Sequence, residues 1–218
     1  MNRKYKNQKL VDYVDTISKQ ILEAKHSNHH RDKFFPLLID AMQLNIGAEI
    51  GVDKGGFSQH LLAKSKLSML YCIDPWIDNF GSDHDPEYFD PNGQNRQADA
   101  TKALAEFIPT RCTLMKGFSA EVVNRFEDNS LDFCYIDGDH SLEGIYTDIY
   151  SWIHKVKRGG ILAGHDYKDG PKSGMPDYWG GQLPYKIKTV VDNFSDQYGF
   201  KLNVVGGRIL SWYFVKNV

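Results

Sequence analysis

Polar residues follow two apolar segments of this sequence at the points where strands would end. Asp137-Gly-Asp139-His140 follows Leu131–Ile136, and His165-Asp166 follows Ile161-Leu-Ala163. The ends of neighbouring parallel strands lie about 5 Å apart, so these groups can converge. Carboxylate oxygens favour magnesium, calcium or manganese, and transition metals also accept imidazole. The pattern therefore predicts a polar centre that could hold a divalent cation or move a proton.

A glycine-rich turn forms a second feature with chemical potential. A short apolar run carries Glu49, and Gly51 and Gly55 follow before a helical pattern begins at Phe57. Glycines permit unusual φ angles and let a ligand approach the backbone, and the following helix presents free N–H groups to it. The dinucleotide fingerprint G-x-G-x-x-G is absent because its second glycine would fall at Asp53. This turn therefore predicts a ligand site other than that of a nicotinamide-dependent oxidoreductase.

The turn and the strand after it resemble the S-adenosylmethionine (SAM) site of class I, Rossmann-like methyltransferases. The resemblance rests on four residues: Glu49, Gly51, Gly55 and Asp74. Two later blocks, Leu131–Gly144 and Lys157–Tyr167, look like the fourth and fifth strands of the small-molecule O-methyltransferase branch. The match covers roughly residues 45–167 and, more loosely, the C-terminal part of the chain.

This resemblance implies where the cofactor would bind. Asp74 would hold the ribose hydroxyls, as an acid at the end of a second strand can. The loop from Glu49 to Gly55 would surround the methionine portion, and the turn Gly117–Ser119 stands where the family contacts adenine. The full set of implied cofactor contacts is Glu49, Gly51, Gly55, Asp74, Pro75, Trp76, Gly117, Phe118, Ser119 and Asp137.

The resemblance also implies roles for the acids and histidines of the polar centre. In the catechol O-methyltransferase-like and macrolide-sugar branches, acids at these two strand ends hold a divalent metal. Asp137 and Asp166 match those acids, while His165 stands where the family has an acid. We therefore predict Asp137, His165 and Asp166 as ligands of magnesium or another divalent cation. His165 and His140 are candidate catalytic bases, since histidine titrates nearest neutral pH; His140 could instead orient its loop.

Alternating strand and helix patterns predict an α/β fold, a three-layer α/β/α sandwich. We expect a mostly parallel seven-stranded sheet with an antiparallel C-terminal hairpin strand. Residues 45–218 would form the SAM-binding domain, and residues 1–44 an N-terminal helical extension. In the resembled family such helices cap the substrate side or mediate homodimerisation, and both roles stay open here.

Two irregular, aromatic-rich loops, near residues 75–96 and 167–183, interrupt the predicted domain. We interpret them as lids over the substrate, with solvated insertions as the plainer alternative. Their aromatic residues are Trp76, Phe80, Tyr88, Phe89, Tyr178 and Trp179. Such lids suit a small acceptor enclosed away from water, while the acidic residues of the first loop disfavour a nucleic acid.

The whole composition narrows the class of protein further. The 218 residues are 41% hydrophobic and 25% charged, with a formal net charge of −2, which argues against a nucleic-acid binder. Three scattered cysteines give neither a disulfide frame nor a zinc pattern, so we expect buried thiols. No apolar run is long enough to span a bilayer, and we expect a cytoplasmic protein without a membrane partner.

Together these features predict a SAM-dependent methyltransferase that moves a methyl group to a hydroxyl of a small polar molecule. A sugar, a polyol or a phenol-like compound would fit as the acceptor. One alternative is a metal-dependent glycosyltransferase that uses Asp137-Gly-Asp139, although that leaves the glycine turn and Asp74 unexplained. Another is a non-catalytic SAM- or nucleotide-binding protein on the same scaffold.

Overall fold

A computed structural model describes residues 8–23, 30–77, 95–170, 186–206 and 209–217. These residues form seven strands, whose lengths follow the apolar segments of the sequence. The strands are β1 (Ile46–Ile50), β2 (Met69–Asp74), β3 (Cys112–Lys116), β4 (Leu131–Ile136), β5 (Val156–Gly164), β6 (Asn203–Gly206) and β7 (Leu210–Val215).

All seven strands belong to one sheet with the order β3-β2-β1-β4-β5-β7-β6. The five strands from β3 to β5 pair in parallel, whereas β7 runs antiparallel to both of its neighbours. The order reverses at β1, so the crevice between the ends of β1 and β4 is the expected ligand site of such a sheet. The predicted mostly parallel sheet with an antiparallel hairpin strand is confirmed.

Helices cover both faces of the sheet. They are α1 (Gln8–Glu23), α2 (Arg31–Ala41), α3 (Gly56–Lys64), α4 (Arg96–Ala103), α5 (Ser119–Val122), α6 (Leu142–Lys155) and α7 (Ile187–Tyr198). Successive residues of β4 point to opposite faces: Tyr135 joins the core beneath α2 and α3, and Ile136 joins the core beneath α6 and α7. Two buried cores on one sheet give the predicted three-layer sandwich.

Helices α1 and α2, the predicted N-terminal extension, pack into the first of these cores. Phe34, Phe35 and Leu38 of α2 are at most 2% exposed. Phe35 meets the Tyr135 ring edge-on with 5.2 Å between the centroids. Burying each such side chain contributes about 1.5–3 kcal/mol, so α2 is held firmly against β4.

Some element boundaries differ from the sequence pattern. Strand β5 begins at Val156, before the apolar segment Ile161-Leu-Ala163 that predicted this strand. Gly159 adopts a φ of +88° and the pairing with β4 shifts register, so a bulge carries the strand through the glycines. Helix α4 ends at Ala103, although the apolar spacing of Ala100, Leu104 and Phe107 would fit a longer helix.

Cys72, Cys112 and Cys134 are free and buried, as predicted. Among the described residues, no helix combines the length and apolar character needed to cross a bilayer.

Candidate active site

The turn after β1 is shaped by a close approach of the chain to itself. Gly51 has a φ of +84°, and a Cβ atom there would lie 2.0 Å from the carbonyl oxygen of Asp137. Gly55, with a φ of +80°, precedes α3 and lies against Leu104 of the chain segment after α4. Only glycine fits both positions without strain. The glycine pattern therefore reflects packing of the turn against β4 and α4, in addition to any ligand.

Asp74 at the end of β2 organises this turn from below. Its side chain is buried, and its Oδ2 accepts hydrogen bonds from the backbone N–H groups of Val52 (2.8 Å) and Asp53 (2.9 Å). Its Oδ1 accepts from the backbone of Trp76 at 2.7 Å. Asp74, predicted to bind a ribose, thus also determines the shape of the glycine turn.

Trp76 lies in the core rather than over the substrate. It is 3% exposed, has a φ of +41°, and its indole N–H donates to the carbonyl of Asp53 at 2.8 Å. This placement disfavours the lid role predicted for Trp76, because a buried indole that has found an acceptor gains nothing by opening. The other five predicted lid aromatics lie outside the described residues.

A cavity of about 320 Å³ opens beside the turn, a size that suits a small ligand. The predicted cofactor residues that line it are Gly51, Pro75, Gly117, Phe118 and Ser119. The remaining predicted contacts, Glu49, Gly55, Asp74, Trp76 and Asp137, surround the turn without lining this cavity. The turn Gly117–Ser119 and the glycine turn therefore face one space.

The start of α6 supplies lining residues that sequence reasoning missed. They include Asp139, Ser141, Glu143, Gly144, Thr147 and Asp148. Ser141 is the N-cap of α6, and its hydroxyl accepts from the N–H of Gly144 at 3.0 Å. Asp139 accepts from the backbone N–H of Ser141 at 2.8 Å and from its hydroxyl at 2.9 Å. The N-cap and helical spacing after it could have indicated which side chains face the cavity.

The capping role of Asp139 bears on the glycosyltransferase alternative. Both of its carboxylate oxygens accept hydrogen bonds from Ser141. Asp137 instead points toward His140 and His165, whose ring nitrogens each lie 3.5 Å from its Oδ1. The two acids of Asp137-Gly-Asp139 therefore serve different partners, which disfavours a joint hold on a diphosphate.

Asp148 is a buried acid that touches the cavity. Ser119 donates its hydroxyl proton to Asp148, and the Ser119 oxygen accepts from the indole N–H of Trp152 at 2.8 Å. Burial, opposed by the Ser119 hydrogen bond, raises the pKa of Asp148 to about 7. An acid with this pKa is easily influenced by a ligand that donates or accepts a proton.

The predicted polar centre forms at the ends of β4 and β5. His140 Nε2 lies 3.5 Å from Asp137 Oδ1 and 3.6 Å from Asp166 Oδ2. His165 Nδ1 lies 3.5 Å and 3.2 Å from the same two oxygens. The two strand ends therefore bring two acids and two histidines together, as the sequence predicted.

The backbone and the donor atoms of this centre both suit a bound cation. Asp166 adopts a φ of +50°, which a residue with a side chain rarely does and which often marks a functional position. Its Oδ1 is buried and has no hydrogen-bond partner within the described ranges. Ligand atoms of Asp137, His140 and Asp166 all lie within 4.8 Å of one another. His140, predicted only as a base, thus stands among the possible metal ligands.

Arg31 of α2 is a member of the centre that sequence reasoning missed. Its guanidinium donates to Asp137 Oδ2 at 2.5 Å and lies 4.7 Å from the centroid of the Phe57 ring, a cation–π distance. Burial alone would raise the pKa of Asp137, but the neighbouring His140 and His165 and the charge of Arg31 hold it well below its usual value. No motif marks Arg31, because 106 residues separate it from its partner.

The same surroundings act on His165. Burial would lower its pKa, but hydrogen bonds with Asp137 and Asp166 outweigh burial and raise it.

Glu49 lies deeper, 2% exposed beneath the turn, where its Oε2 accepts from the Ser58 hydroxyl at 2.5 Å. Burial raises the pKa of Glu49 to about 8. Glu49 therefore joins the buried polar support of the turn.

The sheet order, the glycine turn and the cavity together define a Rossmann-like methyltransferase fold. The methyltransferase domain family matches residues 48–167, more than half of the chain. The chain therefore belongs to this family, and it is a class I SAM-dependent methyltransferase. Arg31 and both N-terminal helices lie outside the matched residues.

Solved structures with the same fold agree with this assignment. An O-methyltransferase from Bacillus cereus in complex with S-adenosylhomocysteine (SAH) shares 12% identity, covers 94% of this chain and 91% of its own, and has a TM-score of 0.58. A candidate caffeoyl-CoA O-methyltransferase from Staphylococcus aureus has 13% identity, coverages of 93% and 91%, and a TM-score of 0.62. An SAH-bound methyltransferase from Podospora anserina has 12% identity, coverages of 94% and 86%, and a TM-score of 0.58. At these identities the likeness concerns the fold.

Proposed function

We propose that this enzyme transfers the SAM methyl group to a hydroxyl of a small polar acceptor, such as a sugar, a polyol or a phenol-like compound. The observation that carries the proposal is the meeting of two acids and two histidines at the ends of β4 and β5, next to the cavity. A hydroxyl is a weak nucleophile, so its methylation needs groups that orient it and take its proton. The neighbouring fold relatives that are described as O-methyltransferases support the same choice.

In this proposal the cavity between the glycine turn and α6 holds the adenosine part of SAM. Its lining by Pro75, Gly117 and Phe118 supports that orientation, because flat apolar walls suit a ring. The methionine part then runs past Gly51 toward the polar centre. The protein aligns the acceptor oxygen with the methyl group, since SAM already carries a good leaving group.

His165 is the proposed base. Its Nδ1 faces Asp137 and Asp166, so Nε2 on the opposite side of the ring would take the hydroxyl proton. The two carboxylates raise its pKa and stabilise the imidazolium that forms. His140, which lies against the same two acids, is the second candidate.

The residues of the centre also fit a divalent cation such as magnesium. Asp137, His140 and Asp166 would hold it, with His165 beside them, and the buried Oδ1 of Asp166 supports such a ligand set. A bound cation lowers the pKa of a coordinated hydroxyl. Arg31 and the histidines also offset the charge of the two acids, so repulsion between the acids is by itself no reason for a cation.

The test is SAH formation and methylated product measured with a panel of sugars, polyols and phenols, and with RNA as a separate arm. We expect a small-molecule product, loss of turnover in EDTA, its return with magnesium or manganese, and little response to metal in Asp166→Asn. Turnover that ignores both chelation and the substitution would contradict the metal. Methylation of RNA and of no small molecule would contradict the acceptor class.

A further inference from the structure

Asp148, the buried acid of α6 that lines the cavity, can accept a hydrogen bond from a ligand bound there. Asp148 is 4% exposed and lines the cavity together with the apolar side chains of Ile50, Ile73 and Pro75. A charged acceptor at the end of an apolar space is costly unless something donates to it. The site therefore suits a flat ligand that carries an N–H donor at its edge.

The hydrogen bonds around Asp148 have a fixed direction. An indole N–H can only donate, so Trp152 donates to the Ser119 oxygen, and the single hydroxyl proton of Ser119 goes to Asp148 Oδ1. The other oxygen, Oδ2, lies beside Gly138, where an added Cβ would be 3.4 Å away, and Gly138 also lines the cavity. Within the described ranges we find no second donor to this carboxylate. Oδ1 thus accepts the Ser119 proton, and Oδ2 can accept a hydrogen bond from a ligand.

We propose that Asp148 selects the adenine of SAM by accepting a hydrogen bond from its exocyclic amino group. The proposal rests on the cofactor placement described under the proposed function and deepens it. When Asp148 is ionised, an oxo group at the same ring position would bring two acceptors together and leave Oδ2 without a donor, which is the kind of mismatch that gives strong discrimination. The raised pKa of Asp148 agrees with a carboxylate that lacks a donor until the ligand arrives.

The experiment compares SAH with S-inosylhomocysteine, which differs by an oxo group in place of the amino group. Isothermal titration of the full chain with each compound gives the ratio of the two affinities. We expect SAH to bind roughly tenfold or more tightly, the range of one hydrogen bond to a charged acceptor.

Asp148→Asn gives the decisive result, because the direction of the network predicts how the amide will lie. The Ser119 proton keeps the amide oxygen on its side, so the amide N–H₂ takes the place of Oδ2 and becomes a donor. We expect the preference to disappear or reverse, with S-inosylhomocysteine binding at least as tightly as SAH. Adding Ser119→Ala should remove this reversal, since nothing then orients the amide.

A matched control uses Asp139, a half-buried acid that also lines the cavity. Asp139 accepts from Ser141 with both oxygens, so Asp139→Asn should leave the affinity ratio at the wild-type value even if both affinities change. Thermal unfolding without ligand verifies that each variant is folded.

The outcomes separate this proposal from the cofactor placement. Wild-type protein that binds SAH and S-inosylhomocysteine equally, or Asp148→Asn with an unchanged ratio, overturns the role of Asp148 and leaves methyl transfer standing. Wild-type protein that binds neither compound overturns both.

Discussion

Asp137 and Asp148 lie on either side of the turn between β4 and α6, and burial acts on both carboxylates in the same direction. Nevertheless the pKa of Asp137 is held well below its usual value, while that of Asp148 rises to about 7. Asp137 faces Arg31 and two histidines, whereas Asp148 faces a single hydroxyl. Partners that carry positive charge outweigh desolvation, and a neutral donor does not.

The difference divides the site into two regions with different tasks. The polar centre keeps its acids ionised, as orientation of a hydroxyl or a cation requires. The cavity keeps a carboxylate that is only partly satisfied, and such a group responds to a ligand. Substitutions in the polar centre are expected to have the largest effects.

The largest effect is expected for Asp137→Asn. The amide keeps the shape of the side chain but loses the charge that holds His140 and His165, so kcat should fall by about 100-fold or more. Steady-state kinetics with the identified acceptor measures this change. Asp139→Asn is the matched control, and an equal loss of kcat there would contradict a special role for Asp137.

Arg31→Gln should destabilise the protein by about 1.5–3 kcal/mol, because it leaves Asp137 without its charged partner. Urea unfolding measures the free energy. Arg31→Lys should recover part of the loss, since its charge remains but the stacking on Phe57 weakens. Asp15→Asn breaks another ion pair of the N-terminal helices, with Lys201, and should destabilise the protein less, because this pair is more exposed than Arg31 and Asp137. If Arg31→Gln and Asp15→Asn lower the free energy of unfolding equally, the contact between Arg31 and Asp137 contributes no more than a partly exposed ion pair.

Asp74→Ala should weaken SAH binding by roughly tenfold or more, since it removes acceptors for the turn and the predicted ribose contact. Titration calorimetry measures the affinity. Asp74→Asn retains one acceptor oxygen and should lose less. An affinity equal to wild type in Asp74→Ala would contradict both the structural role and the ribose role.

The last effect concerns the pH dependence of stability. Because the folded-state pKa of Asp148 is raised to about 7, its contribution is fully present below about pH 4 and is lost as pH rises toward 7. Asp148→Asn should remove this loss, which is at most about 1.4 kcal/mol per pH unit for one group. Urea unfolding at several pH values tests it. Identical pH profiles for wild type and Asp148→Asn would show that folding does not raise the pKa of the Asp148 carboxylate.

The sequence by itself determined the sheet, its parallel order of elements and the edge at which the chemistry gathers. These follow from local patterns, since apolar runs end in Gly51, Asp74, Asp137 and Asp166, and strand ends in a parallel sheet must share one edge. The meeting of the acids with His140 and His165 followed from the same reasoning.

Only the tertiary structure decided which partner each of these residues meets. Arg31 reaches Asp137 across 106 residues, and Ser119 reaches Asp148 from another turn. Trp76 was predicted as a lid, yet the acceptor offered by Asp53 holds it in the core. Such contacts depend on the packing of helices against the sheet, and the chain carries no local periodicity that records them. The charge state of each acid is therefore a property of the folded protein.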